Sequence, residues 1–335
     1  MARNDRIFYA CQAVVIQSPT GSAVSSTNVV RGLQSVGMSS NFSLDQVFEI
    51  GQLEIYENIE DIADVEVTLE KVIDGEKLIF NLASNGLCKT DLVSASKQRS
   101  DVYLAIYDDA VSNATGVARN VCWNSGMYTS SVSYSYSVDG SATESVTLVG
   151  NDKFWNTDAN QTATNAESQY TLTGTDTGFD GTDTPLSGVV RRVDVDLSAS
   201  TLPPVVESQK GDLAGDNNLH IQSISVSADF GQENILELGR FGPYAKYVSF
   251  PIEVTSEFEV IATSGDLKSV SGAGTNLTSD PIIIKDSAGT VLNLGVSNKL
   301  SSISYSGGDT GGGNATISYS FTNFNSLLVV DGGGV

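Results

Sequence analysis

The residue types that could perform chemistry are present in this chain, but they do not stand in catalytic spacing. His220 is the only histidine, so it is the only candidate base for a Ser/His/Asp triad, and no such triad can be assembled around it. Asp and Glu number 40, yet no two of them form a recognisable glycosidase pair. We therefore predict that the protein is not an enzyme and has no catalytic residue.

Three segments carry residues suited to binding ions. GDTGGGN at 308–314 is glycine-rich like a phosphate loop, but it lacks the Gly-Lys-Ser/Thr that such a loop requires. DNN at 216–218 and FDGTDT at 179–184 supply oxygen ligands for calcium, but neither has the full spacing of an EF-hand loop. We expect no metal and no cofactor, with calcium at these last two segments as the alternative.

The composition argues against several classes of function. Lys and Arg number 18 against 40 Asp and Glu, a formal net charge of −22, so the chain repels the phosphates that a tight nucleic-acid binder must neutralise. No apolar run approaches the ~18 residues of a membrane span, and the N-terminus lacks the hydrophobic core of a signal peptide. The 3 cysteines are too few and too widely separated for a disulfide framework. At 335 residues the chain suits two domains of ordinary size.

One sequence pattern occurs twice in the chain. Residues 33–56 read LQSVGMSSNFSLDQVFEIGQLEIY and residues 221–244 read IQSISVSADFGQENILELGRFGPY, at a constant offset of 188 positions. Because the matching blocks keep their order, we predict a duplicated domain rather than a short solenoid repeat. Two near-identical surfaces suit a symmetric assembly better than a single active site. Further matching blocks are VEVT (65–68) with IEVT (252–255), LAIYDDA (104–110) with IIIKDSA (282–288), and SSVSYS (130–135) with SSISYS (301–306).

Alternation of polar and apolar residues with a period of two predicts a mainly β fold. VEVTLEKV (65–72) and IEVTSEFEV (252–260) each present one apolar and one polar face. Helical signals are weak. KTDLVSASKQRSD (89–101) is the best candidate for a helix or an irregular connection, and the helical pattern of DQVFEIGQLEIY is interrupted by Gly51. We expect at most one short helix in each half.

The matching blocks divide the chain into four predicted parts. Residues 151–218 have no counterpart in the other half, and residues 151–185 are polar with few large apolar side chains, which indicates an exposed loop. The predicted parts are an N-terminal arm (1–32), a first domain (33–150), an insert and linker (151–218) and a second domain (219–335).

Three long blocks, at residues 33–75, 136–155 and 237–266, share the alternating pattern and its glycine-marked turns. These blocks resemble the tail tube proteins of tailed bacteriophages, and the resemblance covers most of 31–155 and 219–325. It rests on overall pattern and not on a catalytic motif. It implies two tandem homologous β-sandwich or half-barrel domains, each with a short helix and a long loop, that close into a ring-shaped barrel on oligomerisation.

In that family six tube domains form a ring, and stacked rings form a tube through which DNA passes. The usual member has one domain per chain, so the doubled chain implies a trimeric, pseudo-hexameric ring in preference to a hexamer. The implied partners are further copies of this chain, other tail proteins (tape measure, terminator and, in a contractile tail, sheath), and double-stranded DNA transiently in the lumen. No membrane is implied. The implied location is the virion tail, after assembly in the host cytoplasm.

Two sets of residues are candidates for contacts in such a tube. A strand with one polar and one apolar face can line an aqueous channel while packing a core behind it. The segments 43–64 and 231–250 follow the first strand of each half, near the place where the family has a loop that contacts the next ring. The candidate lumen-facing residues are Ser39, Asn41, Glu66, Thr68, Glu70, Ser227, Asp229, Glu253 and Thr255. The candidate ring-to-ring contacts are Phe48, Glu49, Gly51, Tyr56, Glu237, Gly239, Tyr244 and Tyr247.

Two other classes of function stay open. A secreted or surface binding module with two β-sandwiches, such as an adhesin or a carbohydrate binder, would need a secretion signal and exposed aromatic platforms. The sequence shows neither clearly. A polysaccharide hydrolase would need an acidic cleft in one half only. Images of the purified protein separate these classes, because only a tube subunit forms rings or hollow tubes.

Overall fold

The computed structural model describes most of the chain and confirms a mainly β fold. The described residues are 6–19, 28–84, 92–107, 118–156, 162–164, 169–171, 186–209, 219–272, 277–308, 310 and 313–332. The calcium alternatives at 179–184 and 216–218, much of the loop predicted at 151–185, and Cys88 lie outside them.

The strands fall into two groups along the chain. The first group is β1 (Gln12–Gln17), β2 (Leu33–Asn41), β3 (Leu44–Phe48), β4 (Ile55–Glu60), β5 (Asp64–Val72), β6 (Arg99–Ile106), β7 (Asn120–Ser137), β8 (Thr143–Gly150), β9 (Asp152–Asn156), β10 (Thr162–Thr164) and β11 (Gln169–Thr171). The second group is β12 (Ile221–Asp229), β13 (Gln232–Ile235), β14 (Ala245–Val248), β15 (Glu253–Ile261), β16 (Ile283–Lys285), β17 (Val291–Asn293), β18 (Lys299–Ser306), β19 (Thr316–Phe324) and β20 (Leu328–Val330). The helices are a 3-10 turn (Tyr9–Cys11), α1 (Ile79–Ala83), α2 (Leu92–Ser96) and α3 (Pro204–Glu207).

One antiparallel sheet organises the molecule. Eight of its strands lie side by side in the order β2-β5-β8-β7-β12-β15-β19-β18, so that β2 and β18 are the outer strands of this path among the described residues. The first four strands belong to the first half of the chain and the last four to the second half. When only the four strands of each half that belong to this path are numbered along the chain, both halves have the same neighbour order: first, second, fourth, third. The halves join where β7 pairs with β12.

Smaller strand sets flank each half in the same arrangement. In the first half β6 pairs with the N-terminal part of β7, which pairs with β9, and β1 lies along β6. In the second half β16 pairs with β17, which pairs with β20, and Thr201 of the preceding segment bridges to Ile283. The segments that precede each half therefore run beside corresponding strands, although their sequences do not match.

The alternation in the sequence becomes one buried and one solvent-facing side of the large sheet. Val65, Val67 and Leu69 of β5 are buried, while the residues between them are exposed or half-buried. β15 repeats this pattern, with Phe258 and Val260 in the core. A period of two is what a pleated strand with one dry face requires. β1, by contrast, is an almost continuous apolar run because its two faces contact two different core clusters.

Irregularities of register recur at matching positions. A bulge lies between Leu33 and Ser35 in β2 and between Ile221 and Ser223 in β12, at the offset of 188 found in the sequence. Bulges also lie between positions 129 and 131 of β7 and between positions 300 and 302 of β18. Extra residues of this kind bend a strand at one place, so their recurrence fixes which residues correspond.

The strand register corrects one sequence match by two residues. The sequence matches Glu66 of VEVT with Glu253 of IEVT. In the sheet, however, Ser39 lies opposite Glu66 while its counterpart Ser227 lies opposite Thr255. A shift of two residues keeps every side chain on its own face, so alternation alone does not detect it.

Two expectations about helices are also corrected. The first half contains two short helices, α1 and α2, where at most one was expected, and α2 lies within the candidate segment 89–101. α1 was missed because IFNLA reads as a short buried apolar run, which periodicity does not separate from a strand. The interrupted pattern DQVFEIGQLEIY forms a β-hairpin from β3 and β4, with Gly51 at its tip in a left-handed conformation (φ 109°).

Candidate functional site

The largest candidate surface is the polar face of the eight-stranded path, defined as the solvent-facing positions that alternate along each strand. Ser39 of β2 lies opposite Glu66 of β5, and Ser133 of β7 lies opposite Ser227 of β12. Directly opposed residues in an antiparallel pair point to the same side of the sheet. The polar face therefore runs without interruption across the junction of the two halves, as far as Ser304 of β18.

All nine residues predicted to face a lumen lie on this polar face. Along β5, β12 and β15 they alternate with buried positions, and along β2 with half-buried ones; each of the nine is itself exposed or half-buried. The structure thus brings the candidates of both halves onto one surface. Their facing the lumen of a tube stays a prediction. The nine are Ser39, Asn41, Glu66, Thr68, Glu70, Ser227, Asp229, Glu253 and Thr255.

Hydroxyl and carboxylate groups dominate the chemistry of the polar face. Among the described residues of the eight strands, its alternating positions carry one basic residue, Lys299 at the first position of β18. Ser35 Oγ donates to Glu70 Oε2 (3.4 Å), and Ser223 Oγ donates to Glu259 Oε2 (3.3 Å) at the corresponding position of the second half. The carboxylates of such a surface repel phosphate groups, and it lacks the clustered cations that would neutralise them.

Behind the polar face of the first half lies a buried charged cluster. Lys71 and Glu144 are fully buried and directly opposite each other on β5 and β8. The Lys71 ammonium group donates to Asp74 Oδ1 (3.3 Å), while Glu144 accepts from the amides of Ile79 (2.6 Å) and Phe80 (3.1 Å). Burial raises the pKa of Glu144, although Lys71, these amides and a neighbouring tyrosine hydroxyl oppose the shift. The cluster anchors α1 to the sheet.

The second candidate surface consists of two projecting hairpins, which we call the first hairpin (β3–β4) and the second hairpin (β13–β14). Both have a glycine with a left-handed backbone, Gly51 (φ 109°) and Gly239 (φ 88°), and a Cβ at either position would have nothing within 4 Å. These glycines therefore serve the backbone turn and not close packing. Every residue of β3 and β4 is exposed.

The hairpins carry more apolar surface than the sequence candidates suggest. Of the predicted ring-to-ring contacts, the structure places Phe48, Glu49, Gly51 and Tyr56 on the first hairpin and Glu237, Gly239, Tyr244 and Tyr247 on the second, and all are exposed. Clusters of exposed large apolar side chains are typical of contact surfaces. Further exposed residues that the sequence did not single out are Ile50, Leu53, Leu236, Leu238 and Phe241. The sequence signal that could have identified them is their position in the connection between two strands of a hairpin, where side chains are usually exposed.

The base of the second hairpin lies against the polar face of the first half. Lys246 of β14 stands beside Asp64, in a groove also lined by Asn41 and Gln232. Burial lowers the pKa of Lys246, and the Asp64 carboxylate opposes this shift. Gln232 Nε2 donates to the Thr129 carbonyl (2.8 Å), which ties the hairpin to β7. The second hairpin is therefore fixed to the sheet at its base.

The third candidate surface is formed by the outer strands of the path. β2 and β18 each pair on one side only among the described residues. Tyr305 on β18 is 56% exposed, and Phe42 just after β2 is 75% exposed. These residues are not among the sites predicted from sequence, because a period-two pattern marks the faces of a strand and does not show which strand ends a sheet.

The ion-binding candidates gain no support from the described residues. His220 takes part in sheet pairing through its carbonyl, which accepts from the Ile261 amide (2.9 Å). Within the described ranges no three His, Cys, Asp or Glu side chains are grouped to hold a metal ion. Of the glycine-rich segment 308–314, several residues lie outside the described part. No described helix is long and apolar enough to cross a membrane.

Comparison with known proteins finds similarity only among solved structures. No protein-family model and no curated protein matches the sequence. The tube-terminating cap of the anti-feeding prophage is similar at 15% identity and a TM-score of 0.34, covering 47% of this chain and 95% of that chain. A chain of the anti-feeding prophage baseplate has 10% identity and a TM-score of 0.31, covering 45% and 95%.

A third similar chain comes from the sheath–tube complex of an extracellular contractile injection system, PVC, in its extended state. It has 13% identity and a TM-score of 0.31, covering 45% of this chain and 92% of that chain. All three similar structures are thus components of phage-tail-like contractile particles, and each is matched over nearly its whole length by less than half of this chain.

Proposed function

We propose that this chain is a structural virion protein that polymerises as stacked rings to form a phage tail tube. The observation that carries the proposal is the continuous path of eight strands with a hydroxyl- and carboxylate-rich face, a packed apolar back and two outer strands that pair on one side only among the described residues. A wall of this kind keeps its core dry while presenting water and DNA with a surface whose carboxylates repel phosphate.

The proposal includes a duplicated tube domain and a ring of three chains. It is supported by the same neighbour order of strands in the two halves and by bulges at matching positions. Two such units in one chain halve the number of chains needed to close a ring of six. The ring is then pseudo-six-fold, because the halves differ in sequence.

Stacking of the rings is assigned to the two hairpins. They project exposed apolar side chains, which are costly to leave in water and stabilise a contact when buried. The first hairpin is acidic, with Glu49, Glu54 and Glu57 among its residues. The second hairpin is near neutral, because its two acidic residues balance its two basic ones: Glu233, Glu237, Arg240 and Lys246. Alternation of these two hairpins around a ring gives each interface a charge pattern that favours one rotational register.

The remaining parts of the proposal follow from a role in a tail. The protein has no enzymatic activity and resides in the virion after assembly in the host cytoplasm. Its partners are copies of itself, the proteins at the ends of the tube, the tape measure and, in a contractile tail, a sheath. Double-stranded DNA passes through the lumen and is not held there.

Electron microscopy of the purified protein tests this function directly. Negative-stain images at increasing protein concentration are expected to show rings and hollow tubes of constant diameter. A chain that stays monomeric at high concentration, and that binds an immobilised glycan panel through its exposed aromatic residues, would instead support the surface binding module.

A further inference from the structure

We propose that neighbouring chains join by pairing β18 of one copy with β2 of the next, in the register that already joins β7 to β12 inside each chain. The partner is a second copy of this chain. This inference rests on the proposed ring, and it adds the residue pairs at the contact. The internal junction of the two halves serves as its template.

The template junction is well defined in the structure. β7 and β12 are antiparallel, with Ser133 opposite Ser227 and Tyr134 opposite Val226. The pairing extends beyond the strand, because the Phe230 amide donates to the Ser130 carbonyl (2.8 Å). Phe230 then turns into the core and stacks on Phe80 of the first half, with ring centroids 5.9 Å apart.

The outer strands correspond to the two strands of this junction. β2 corresponds to β12, and β18 corresponds to β7, by position in the sheet, by sequence match and by the matching bulges. Transferring the internal register therefore places Ser39 opposite Ser304 of the neighbouring copy and Met38 opposite its Tyr305. It also directs the amide of Phe42 to the carbonyl of Ser301 in that copy.

The outer strands carry apolar side chains that this pairing would cover. Tyr134 and Phe230 at the internal junction are each 1% exposed, whereas their counterparts Tyr305 and Phe42 are 56% and 75% exposed. The same residue types are thus buried where a partner strand is present and exposed where it is absent. Burying large aromatic side chains of this kind contributes about 1.5–3 kcal/mol each.

The free sides of the two outer strands lack the usual protection against pairing. Natural edge strands are commonly guarded by lysine, proline, inward-pointing charge or a bulge. β2 contains no lysine, proline or charge, and the only charged residue of β18 is Lys299 at its first position, where its ammonium group donates to the Leu277 carbonyl (2.7 Å). Both strands contain a bulge, but so do β12 and β7, which nevertheless pair across the internal junction. The edges are therefore suited to pairing with another strand.

Cysteine cross-linking measures the register. Directly opposed residues in an antiparallel pair have Cα atoms about 4.5–5.5 Å apart, within disulfide range, whereas residues displaced by a slip of two lie about 7–8 Å apart, beyond that range. The test variant is Ser39→Cys with Ser304→Cys in one chain. The matched control is Ser39→Cys with Ser302→Cys, which differs only by that slip. Ser133→Cys with Ser227→Cys, at the internal junction, provides the positive control.

The variants are oxidised under assembly conditions and separated on non-reducing gels, with parallel electron micrographs and the unmodified chain as background. We expect dimers and closed trimers from the test variant, at least tenfold more than from the slipped control. Tubes without selective cross-linking of the test pair would overturn the register but not the tube function. Absence of both oligomers and cross-links, with an intact internal disulfide, would overturn both.

Discussion

At the scale of single residues, one buried cross-strand position is charged in the first half and apolar in the second. The first half places Lys71 opposite Glu144 between β5 and β8. The corresponding pair in the second half is Val260 opposite Ile317. Lys71 forms a buried ion pair with Asp74 (3.3 Å), close to the buried Glu144 carboxylate. Such a buried ion pair is weak support for stability compared with apolar residues of similar size, but removal of one partner leaves an unpaired buried charge. In the first half, the Glu144 carboxylate also accepts hydrogen bonds from the first two amides of α1.

Replacing one member of this pair is therefore expected to be costly. Lys71→Met should lower the free energy of unfolding by about 3–5 kcal/mol, because Asp74 and Glu144 lose their buried cation. The double variant Lys71→Val with Glu144→Ile should not recover that loss, because Asp74 still lacks its cation and the amides of Ile79 and Phe80 lose their acceptor. Urea denaturation followed by tryptophan fluorescence measures both. Equal stability of Lys71→Met and the unmodified chain would contradict a structural role for the ion pair.

A second prediction at this scale concerns Cys122. Burial raises the pKa of its thiol to about 12, with Lys153 and Asn124 opposing the shift. The thiolate is the reactive form, so at pH 8 the folded protein should leave Cys122 unmodified by iodoacetamide. Unfolding in guanidinium should make it react, as peptide mass spectrometry would show. Rapid labelling in the folded state would mean that the N-terminal part of β7 opens readily.

Phe42 and Phe230 form a matched pair for separating assembly from folding. Phe230→Ala should cost about 3–5 kcal/mol of folding stability, because Phe230 is fully packed against Phe80. Phe42→Ala should leave the stability of the isolated chain nearly unchanged but raise the concentration needed for tube formation. Thermal unfolding and light scattering measure the two effects. A Phe42→Ala variant that assembles at the concentration of the unmodified chain would contradict burial of Phe42 between copies.

At the scale of elements, the proposed tube gives the hairpins and the outer strands separate roles in assembly. In that proposal the outer strands act within a ring and the hairpins act between rings. Ile50→Ser with Leu53→Ser changes two fully exposed side chains near the tip of the first hairpin. We expect this variant to fold normally and to form rings, but to form short tubes or none. Tubes of ordinary length in electron micrographs would show that stacking does not use this hairpin.

Sequence alone predicted the elements whose pattern is local. The alternation in 65–72 and 252–260 locates β5 and β15, because each strand has one dry face and one wet face. The same alternation predicted the polar face and all nine of its candidate residues. The two-residue difference between the sequence match and the structural match of β5 with β15 was not predictable, because a shift of two residues leaves every side chain on the same face. The exposure of Phe42 and Tyr305 was not predictable either, since it depends on which strands end the sheet.

At the scale of the whole molecule, charge and topology act together. The chain carries a net charge of −22, and acidic side chains on β5 and β15 stand on the face proposed to line the lumen. In the proposed tube, repulsion of DNA phosphates by this face would keep the moving duplex from adhering. The apolar backs of the same strands hold the wall together, so the lining can be changed without unfolding the sheet.

A charge reversal on this face tests the lining. Particles with Glu66→Lys and Glu70→Lys should assemble, because both side chains point away from the core, but they should eject DNA more slowly, and the delay should shrink as salt is raised. Ser133→Asn with Ser135→Asn is the neutral control on the same face. Ejection at the rate of the unmodified particle, from normally assembled tails, would contradict a lumen position for β5.

A density map of the assembled tube tests the central claim most directly. The proposed function predicts three copies of this chain in each ring, each supplying eight adjacent strands to one continuous barrel wall. The polar face should line the lumen, and β18 should pair with β2 of the next copy. Six copies in each ring, or a wall with the polar face turned outward, would contradict the account.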